Sequence, residues 1–420
     1  RAKPHSILNG IVVDKQTSPE LHRFVQDVAD SVQGRAPDNV VVGLDPTFYA
    51  VSSPVNVLSS GAKLRGETLY MSLPLMRLFK DDELRSVIGH ELGHFSGKDT
   101  EYSKKFAPIY GSLHQSYLSL EEAGSVAAIP VTVTLANLLA AFDENVKKIS
   151  RERELLADKA GALAGSEQAL VRALLKVSLY ADAWGHVSNR VFDRMCAGMG
   201  FSKNISWLFS SVVQHNVNAD SISSRISKIG QEKLSHPTDS HPATAERAEQ
   251  LGVTISEIAN EELTPPVESV LERFPQYKKL EEQLSAFQQA VYQASGADGE
   301  MKGEQIAQRV ISMFAAFMTL ADGEIDKSEI ETAEAIGAAC FEDFDYFQFR
   351  EYCHYPDLLP EEEKLLEVAS GFGEDFKLVI LDLCRDIAIA DGELAKDEEN
   401  LLARIAASFG LSAGETADSE

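Results

Sequence analysis

Apolar residues recur with a helical period along most of the chain. Between Asp81 and Phe95, Leu84, Val87, Ile88 and Leu92 follow this rhythm behind an acidic start, Asp81-Asp82-Glu83, which suits the positive end of a helix. The spacing predicts an amphipathic helix there. A second is expected over Ser18–Val32, where Ser-Pro-Glu is a start signal and Leu21, Phe24, Val25 and Val28 share one stripe. Between the two the period changes. Asn39–Leu44 is a β-branched run, and Phe48–Val57 and Glu67–Met71 are extended segments set off by Gly and Ser turns. Val40–Ser72 therefore reads as a small antiparallel sheet leading into a helix from Leu73.

Helical spacing returns in Lys98–Leu120 and again from Ile149 to Tyr180. Between them lies Ala123–Phe142, which has no charged residue and is long enough to cross a bilayer, although Gly124, Pro130, Thr132, Thr134 and Asn137 make its insertion marginal. Gly185–Lys233 is expected to be mostly helical, with Trp184 and Trp207 as core anchors. Thr264-Pro265-Pro266 breaks the chain, a last helix runs to Tyr292, and Ala294–Gly303 is a Gly-rich linker. The fold class that follows is mainly α (α+β), with the small antiparallel sheet in the first part and an all-α C-terminal domain.

Composition refines this picture in two places. The net charge is −26, which argues against nucleic acid as a partner. Residues 301–420 hold 9 basic and 28 acidic residues, so −19 of that charge marks a separate acidic module. The division expected is 1–295, a linker at 296–303, an acidic helical domain at 304–413 and a tail at 414–420. Four cysteines without a C-x-x-C pattern read as reduced, mostly buried thiols.

Candidate chemistry sits in the Asp81–Phe95 helix. His90-Glu91-Leu92-Gly93-His94 is an H-E-x-x-H motif. Histidines four apart project about 40° apart around a helix, so one cation can take a nitrogen from each. Glu91 lies close enough to polarise a water without being a ligand. Gly93 lowers helix propensity by about 1 kcal/mol relative to alanine, which suggests a bare position against metal or substrate. A third ligand is offered by Glu154. Asp158, one turn later on the same face, can accept a hydrogen bond from the free ring nitrogen of a ligand histidine. Taken alone, Arg151-Glu152-Arg153-Glu154 would read as a solvated surface. A ligand beyond Asp143 would also make Ala123–Phe142 a buried helix, a re-entrant loop or an interfacial segment instead of a lone span.

Together these motifs resemble the HtpX and CAAX-prenyl-protease family of zinc metallopeptidases, gluzincins in which H-E-x-x-H is followed by E-x-x-A-D, here Glu154-Leu155-Leu156-Ala157-Asp158. The resemblance extends from about Asn39 to Phe274. A further family mark is His-Pro with arginine six residues after the histidine. His241-Pro242 meets it through Arg247, whereas His236-Pro237 does not. The resemblance thus implies a helical zincin-type domain with one catalytic Zn2+ on His90, His94 and Glu154. Glu91 would be the base, Asp158 the orienting acid and His241 the group that stabilises the oxyanion. It also implies a polypeptide substrate, membrane-associated protein quality control, and a setting in the cytoplasm or at the cytoplasmic face of a membrane. Family members often carry two membrane helices between the histidines and the glutamate, where this chain has the single weak stretch 123–142, the candidate for membrane contact. The chain opens on an arginine, which leaves an upstream anchor open.

The acidic module contains an internal repeat. Ala321-Asp322-Gly323-Glu324-Ile325-Asp326 returns as Ala390-Asp391-Gly392-Glu393-Leu394-Ala395. It resembles the TerB-like, tellurite-resistance-type helical domain. Two readings stand beside each other: Asp322, Glu324, Asp326, Asp391 and Glu393 hold a second divalent cation, or the turns dock a protein partner. Because glycine directly follows the first aspartate, an EF-hand is excluded, and Asp326-x-x-Glu329 is also a helix capping arrangement. The alternative function is a catalytically silent or latent metalloprotease-fold adaptor that binds a partner through this domain.

Overall fold

The computed structural model describes residues 6–96, 151–216, 219–231, 242–297, 299–301 and 303–411. The expectations for Lys98–Leu120, Ala123–Phe142, His236 and His241 lie outside them. The chain divides into two compact units, Arg1–His186 with Phe209–Leu284, and Val187–Leu208 with Ser285–Glu420.

The first unit carries all seven described strands: β1 (Ser6–Leu8), β2 (Ile11–Val12), β3 (Asn39–Gly43), β4 (Tyr49–Val51), β5 (Val55–Val57), β6 (Lys63–Leu64) and β7 (Thr68–Ser72). One sheet has the order β1-β5-β6 and the other β2-β3-β7-β4. Both are mixed. The antiparallel pairing expected of Val40–Ser72 holds for β4–β7 and β5–β6, but β3 and β7 run parallel, with Val41 opposite Tyr70. The reason is legible in hindsight. Val40-Val41-Val42 and Leu69-Tyr70-Met71 are continuous apolar runs without alternation, as strands covered on both faces require, and all six residues are buried. The intervening β4–β6 supply the crossover that a parallel pair needs.

The sheet leads directly into the helix that carries the H-E-x-x-H motif. Ser72 ends β7 and caps the short α-helix Leu73–Met76, accepting the N–H of Leu75 at 3.3 Å. The motif helix Asp81–Ser96 then starts on a fixed base. Glu83 Oε2 accepts the backbone N–H of Lys80 at 2.8 Å and the Nζ of Lys176 at 2.8 Å. Lys176 also donates to Leu78 O at 2.9 Å, and neither Lys176 nor Glu83 is exposed. Burial works to lower the lysine's pKa, opposed by the carboxylate beside it. Arg172 adds contacts to Glu83 and Asp82. The expected helix over Ser18–Val32 forms as Pro19–Ser31, burying Leu21, Phe24, Val25 and Val28, and Phe24 meets Phe274 edge to face.

The second unit is helical. Gly303–Thr319, Lys327–Cys340, Tyr346–His354, Glu362–Ser370, Glu374–Ala388 and Lys396–Phe409 enclose a core that includes Ile311, Phe314, Phe349, Ile380, Leu383, Ile387 and Ile405. The fold is thus mainly α with two small mixed sheets. Two side-chain expectations are corrected. Cys353 and Cys384 are buried, but Cys196 and Cys340 are exposed. Trp207 is half-buried, stacked on the exposed ring of His354 at 4.0 Å, so it covers a surface imidazole and does not anchor a core.

Candidate metal centre

The site is built where two helices cross. His90 and His94 project from the motif helix Asp81–Ser96 with their rings 4.9 Å apart and perpendicular. Facing them is the helical stretch 151–164, which brings in Glu154 and Asp158. Glu154 reaches both imidazoles: Oε2 lies 3.5 Å from His90 Nε2 and Oε1 lies 3.7 Å from His94 Nε2. A carboxylate straddling two ring nitrogens at more than hydrogen-bond length is the spacing expected of groups that share an ion between them. Ligand atoms of His90, His94 and Glu154 lie within 4.8 Å of one another, and among the described residues no other group of three or more His, Cys, Asp or Glu does so. Two imidazole nitrogens and a carboxylate oxygen fit a borderline divalent ion.

Asp158 is 1% exposed and accepts from His90 Nδ1 at 2.9 Å. That hydrogen bond puts the proton on Nδ1 and turns Nε2 towards Glu154. Sequence reasoning used Arg247 only as a marker for His241, and the structure gives it a place of its own. From the helix Thr244–Gln250, its Nε donates to Asp158 Oδ2 at 3.0 Å and its second amino group to Oδ1 at 2.5 Å. Arg247 is buried, at 6% exposure. A buried arginine forking onto a carboxylate can be foreseen only if its partner is known, so spacing alone could not announce it. Burial opposes ionisation of Asp158, but the hydrogen bonds from His90 and Arg247 outweigh it and hold the carboxyl below the usual range.

Glu91 sits half-buried beside the pair. Desolvation, then the charge of Glu154, push it up to about 8, against Arg247 and a backbone N–H from Ala50 that pull it down. Ala50 belongs to β4, the strand at the end of its sheet, so the Glu91 carboxylate and the strand edge meet. Gly93 does not face a ligand space. A Cβ there would stand 3.0 Å from Ala157 Cα and 3.1 Å from Ala160 Cβ, so its bareness serves helix packing. His241 lies outside the described residues. Of the histidines set aside by sequence, His186 and His215 are exposed.

In the second unit the acidic turns are formed by local bonds. Asp322 Oδ1 accepts the N–H of Glu324, and Asp391 Oδ1 that of Glu393, each at 2.9 Å. Gly323 and Gly392 take φ of 86° and 94°, values that glycine alone adopts readily. Asp326 caps the following helix, accepting from Ser328 N at 2.7 Å. Asp322, Glu324, Asp326, Asp391 and Glu393 do not converge as the histidines and Glu154 do. The five carboxylates are accounted for in part by these turns and caps. Among the described residues no helix is long and apolar enough to cross a membrane.

The profile of peptidase family M48 matches residues 15–254, and that of the tellurite resistance protein TerB matches residues 362–419. A protease HtpX homolog from Pyrococcus furiosus is 28% identical over 182 residues, 40% of this chain and 60% of its own length. Another from Archaeoglobus fulgidus is 30% identical over 173 residues, 39% of this chain and 48% of its own. A third, from Ralstonia pickettii, is 30% identical over 188 residues, 41% and 60% respectively. The chain spans about half to three-fifths of the length of these relatives. No solved structure matches it. With more than half of its length matched, the site included, the chain belongs to peptidase family M48.

Proposed function

We propose that the chain is a zinc-dependent endopeptidase with His90, His94 and Glu154 as the metal ligands and Glu91 as the general base. The observation that carries this reading is the convergence of two imidazoles and one carboxylate from separate helices. Three protein donors are the pattern of catalytic zinc, which keeps its fourth position for water or substrate, whereas structural zinc takes four protein donors. When bound, such an ion supplies Lewis acidity towards a carbonyl oxygen and acidifies a water.

The chain's own residues do the rest. The Glu91 carboxylate takes the proton of the attacking water and delivers it to the nitrogen of the leaving amine. Asp158 keeps the His90 proton on Nδ1, and Arg247 keeps Asp158 charged and aligned. An extended polypeptide is the substrate form that suits the site, because β4 offers its backbone at the sheet edge beside Glu91. We assign His241 to the oxyanion on the family resemblance alone. A membrane-associated role in protein quality control and a cytoplasmic or cytoplasm-facing setting are proposed on the same ground, and the C-terminal unit is proposed to dock a protein partner. Glu91→Gln should keep its zinc and lose cleavage of an unfolded protein such as casein by at least about a hundredfold. Turnover equal to the parent's would remove Glu91 from the mechanism.

A further inference from the structure

The histidine helix and the helical stretch 151–164 touch main chain to main chain, and this contact decides how far Glu154 must reach. Each glycine on one faces the other. A Cβ at Gly89 would stand 2.5 Å from Ala164 Cβ and 3.1 Å from Ala160 O, and one at Gly161 would stand 2.6 Å from Ser86 O and 3.2 Å from His90 Cβ. A Cβ at Gly165, just past the stretch, would collide with Ser86 Oγ and Asp82 O. Along the contact Gly93 meets Ala157, Gly89 meets Ala164, and Asp82 meets Gly165, so the helices run antiparallel. Ser86, Gly89, His90 and Gly93 form one stripe at helical spacing, which places the contact and the first ligand on the same face.

We propose that Gly89, Gly161 and Ala164 are positioning residues that set the width of the metal centre. Their absent or single-carbon side chains fix the helix separation at which one carboxylate spans both imidazoles. The proposal rests on the reading of His90, His94 and Glu154 as zinc ligands. Zinc–nitrogen and zinc–oxygen bonds lie at about 2.0–2.2 Å, with a tolerance of about 0.2 Å. Two carbon atoms 2.5 Å apart must separate to about 3.5 Å or more, so a methyl at Gly89 parts the helices by several times that tolerance. Both imidazoles ride on one helix and the carboxylate on the other. The displacement therefore falls on the metal–oxygen bond and on the hydrogen bond from His90 to Asp158. Helix propensity acts in the opposite direction, since alanine for glycine favours a helix by about 1 kcal/mol. Weaker metal binding in that variant is therefore not explained by a weakened helix.

The test uses the full chain loaded with cobalt(II), whose visible absorption reports the geometry of its ligands. The parent should take up one equivalent, and Glu154→Gln should bind it far more weakly. Gly89→Ala should lose at least about tenfold in cobalt affinity and change the visible band, while its far-ultraviolet circular dichroism stays that of the parent. Gly89→Ala combined with Ala164→Gly moves the methyl across the contact and should restore both affinity and band. If Gly89→Ala alone fails to fold, the double variant must still fold and bind. The proposal is overturned by a Gly89→Ala protein with parental affinity and spectrum, or by a double variant that binds no better than the single one. Equal cobalt binding by parent and Glu154→Gln, or none by the parent, overturns the ligand reading itself, whatever the glycine variants do.

Discussion

Replacing Arg247 by methionine removes a buried charge that contacts Asp158, and it should weaken the metal site. In the structure the guanidinium makes two hydrogen bonds to Asp158, at 3.0 and 2.5 Å, with both side chains buried. Methionine fills most of the volume but leaves Asp158 with His90 Nδ1 as its one partner among the described residues. A buried carboxylate in that position either protonates or turns towards water, and both outcomes free the His90 ring to rotate. Loss of a partner behind a ligand histidine lowers metal affinity by about 10- to 100-fold, which corresponds to about 1.4–2.7 kcal/mol. Stability should fall too, by about 3–5 kcal/mol, the usual consequence of breaking a buried ion pair from one side. Arg247→Lys keeps the charge but not the fork, and its affinity should lie between the two. Zinc competition against a chromophoric chelator measures the affinity, and thermal unfolding with and without chelator separates it from stability. A folded Arg247→Met protein that binds zinc as tightly as the parent would refute the orienting role of the Asp158–Arg247 pair.

Two further outcomes follow from buried charge elsewhere. Lys176→Met leaves Glu83 without its buried cation, and urea unfolding should show a loss of about 3 kcal/mol or more; a change under about 1 kcal/mol would mean that Arg172 and the Lys80 N–H suffice for Glu83. In the second unit, burial, then the charges of Glu398 and Asp322, push Glu329 up to about 7. Its folded pKa lies above the unfolded value, so the stability it contributes is complete below the unfolded pKa of 4.5 and is lost as pH rises through about 7. Glu329→Gln keeps an acceptor for the Asp326 N–H and should flatten that part of the stability profile of the C-terminal helices. An unchanged slope would place the titration on another group.

Much of the centre could be read in the sequence because its chemistry depends on local spacing. His90 and His94 four apart, and Glu154 and Asp158 four apart, each lie on a single helical face, and helical spacing is carried by the chain itself. The parts missed depend on tertiary partners. Arg247 acquires its role only when Thr244–Gln250 packs against Asp158. Sequence points Gly93 at a ligand space because it cannot say which neighbour a missing Cβ spares, and the neighbours are Ala157 and Ala160. The parallel pairing of β3 with β7 was likewise hidden, since three consecutive valines mark a doubly covered strand without naming its partner. In the C-terminal repeat the same carboxylates suggest a cation in sequence, and the structure shows Asp322 and Asp391 bonding to the N–H groups of their own turns.

Zinc K-edge X-ray absorption on the purified chain tests the central claim most directly, because it counts the atoms around the ion. The account predicts one zinc per chain with two imidazole nitrogens and carboxylate or water oxygens at about 2.0–2.2 Å, and a changed first shell in Glu154→Gln. A spectrum identical in parent and Glu154→Gln, or one without imidazole scattering, would contradict it.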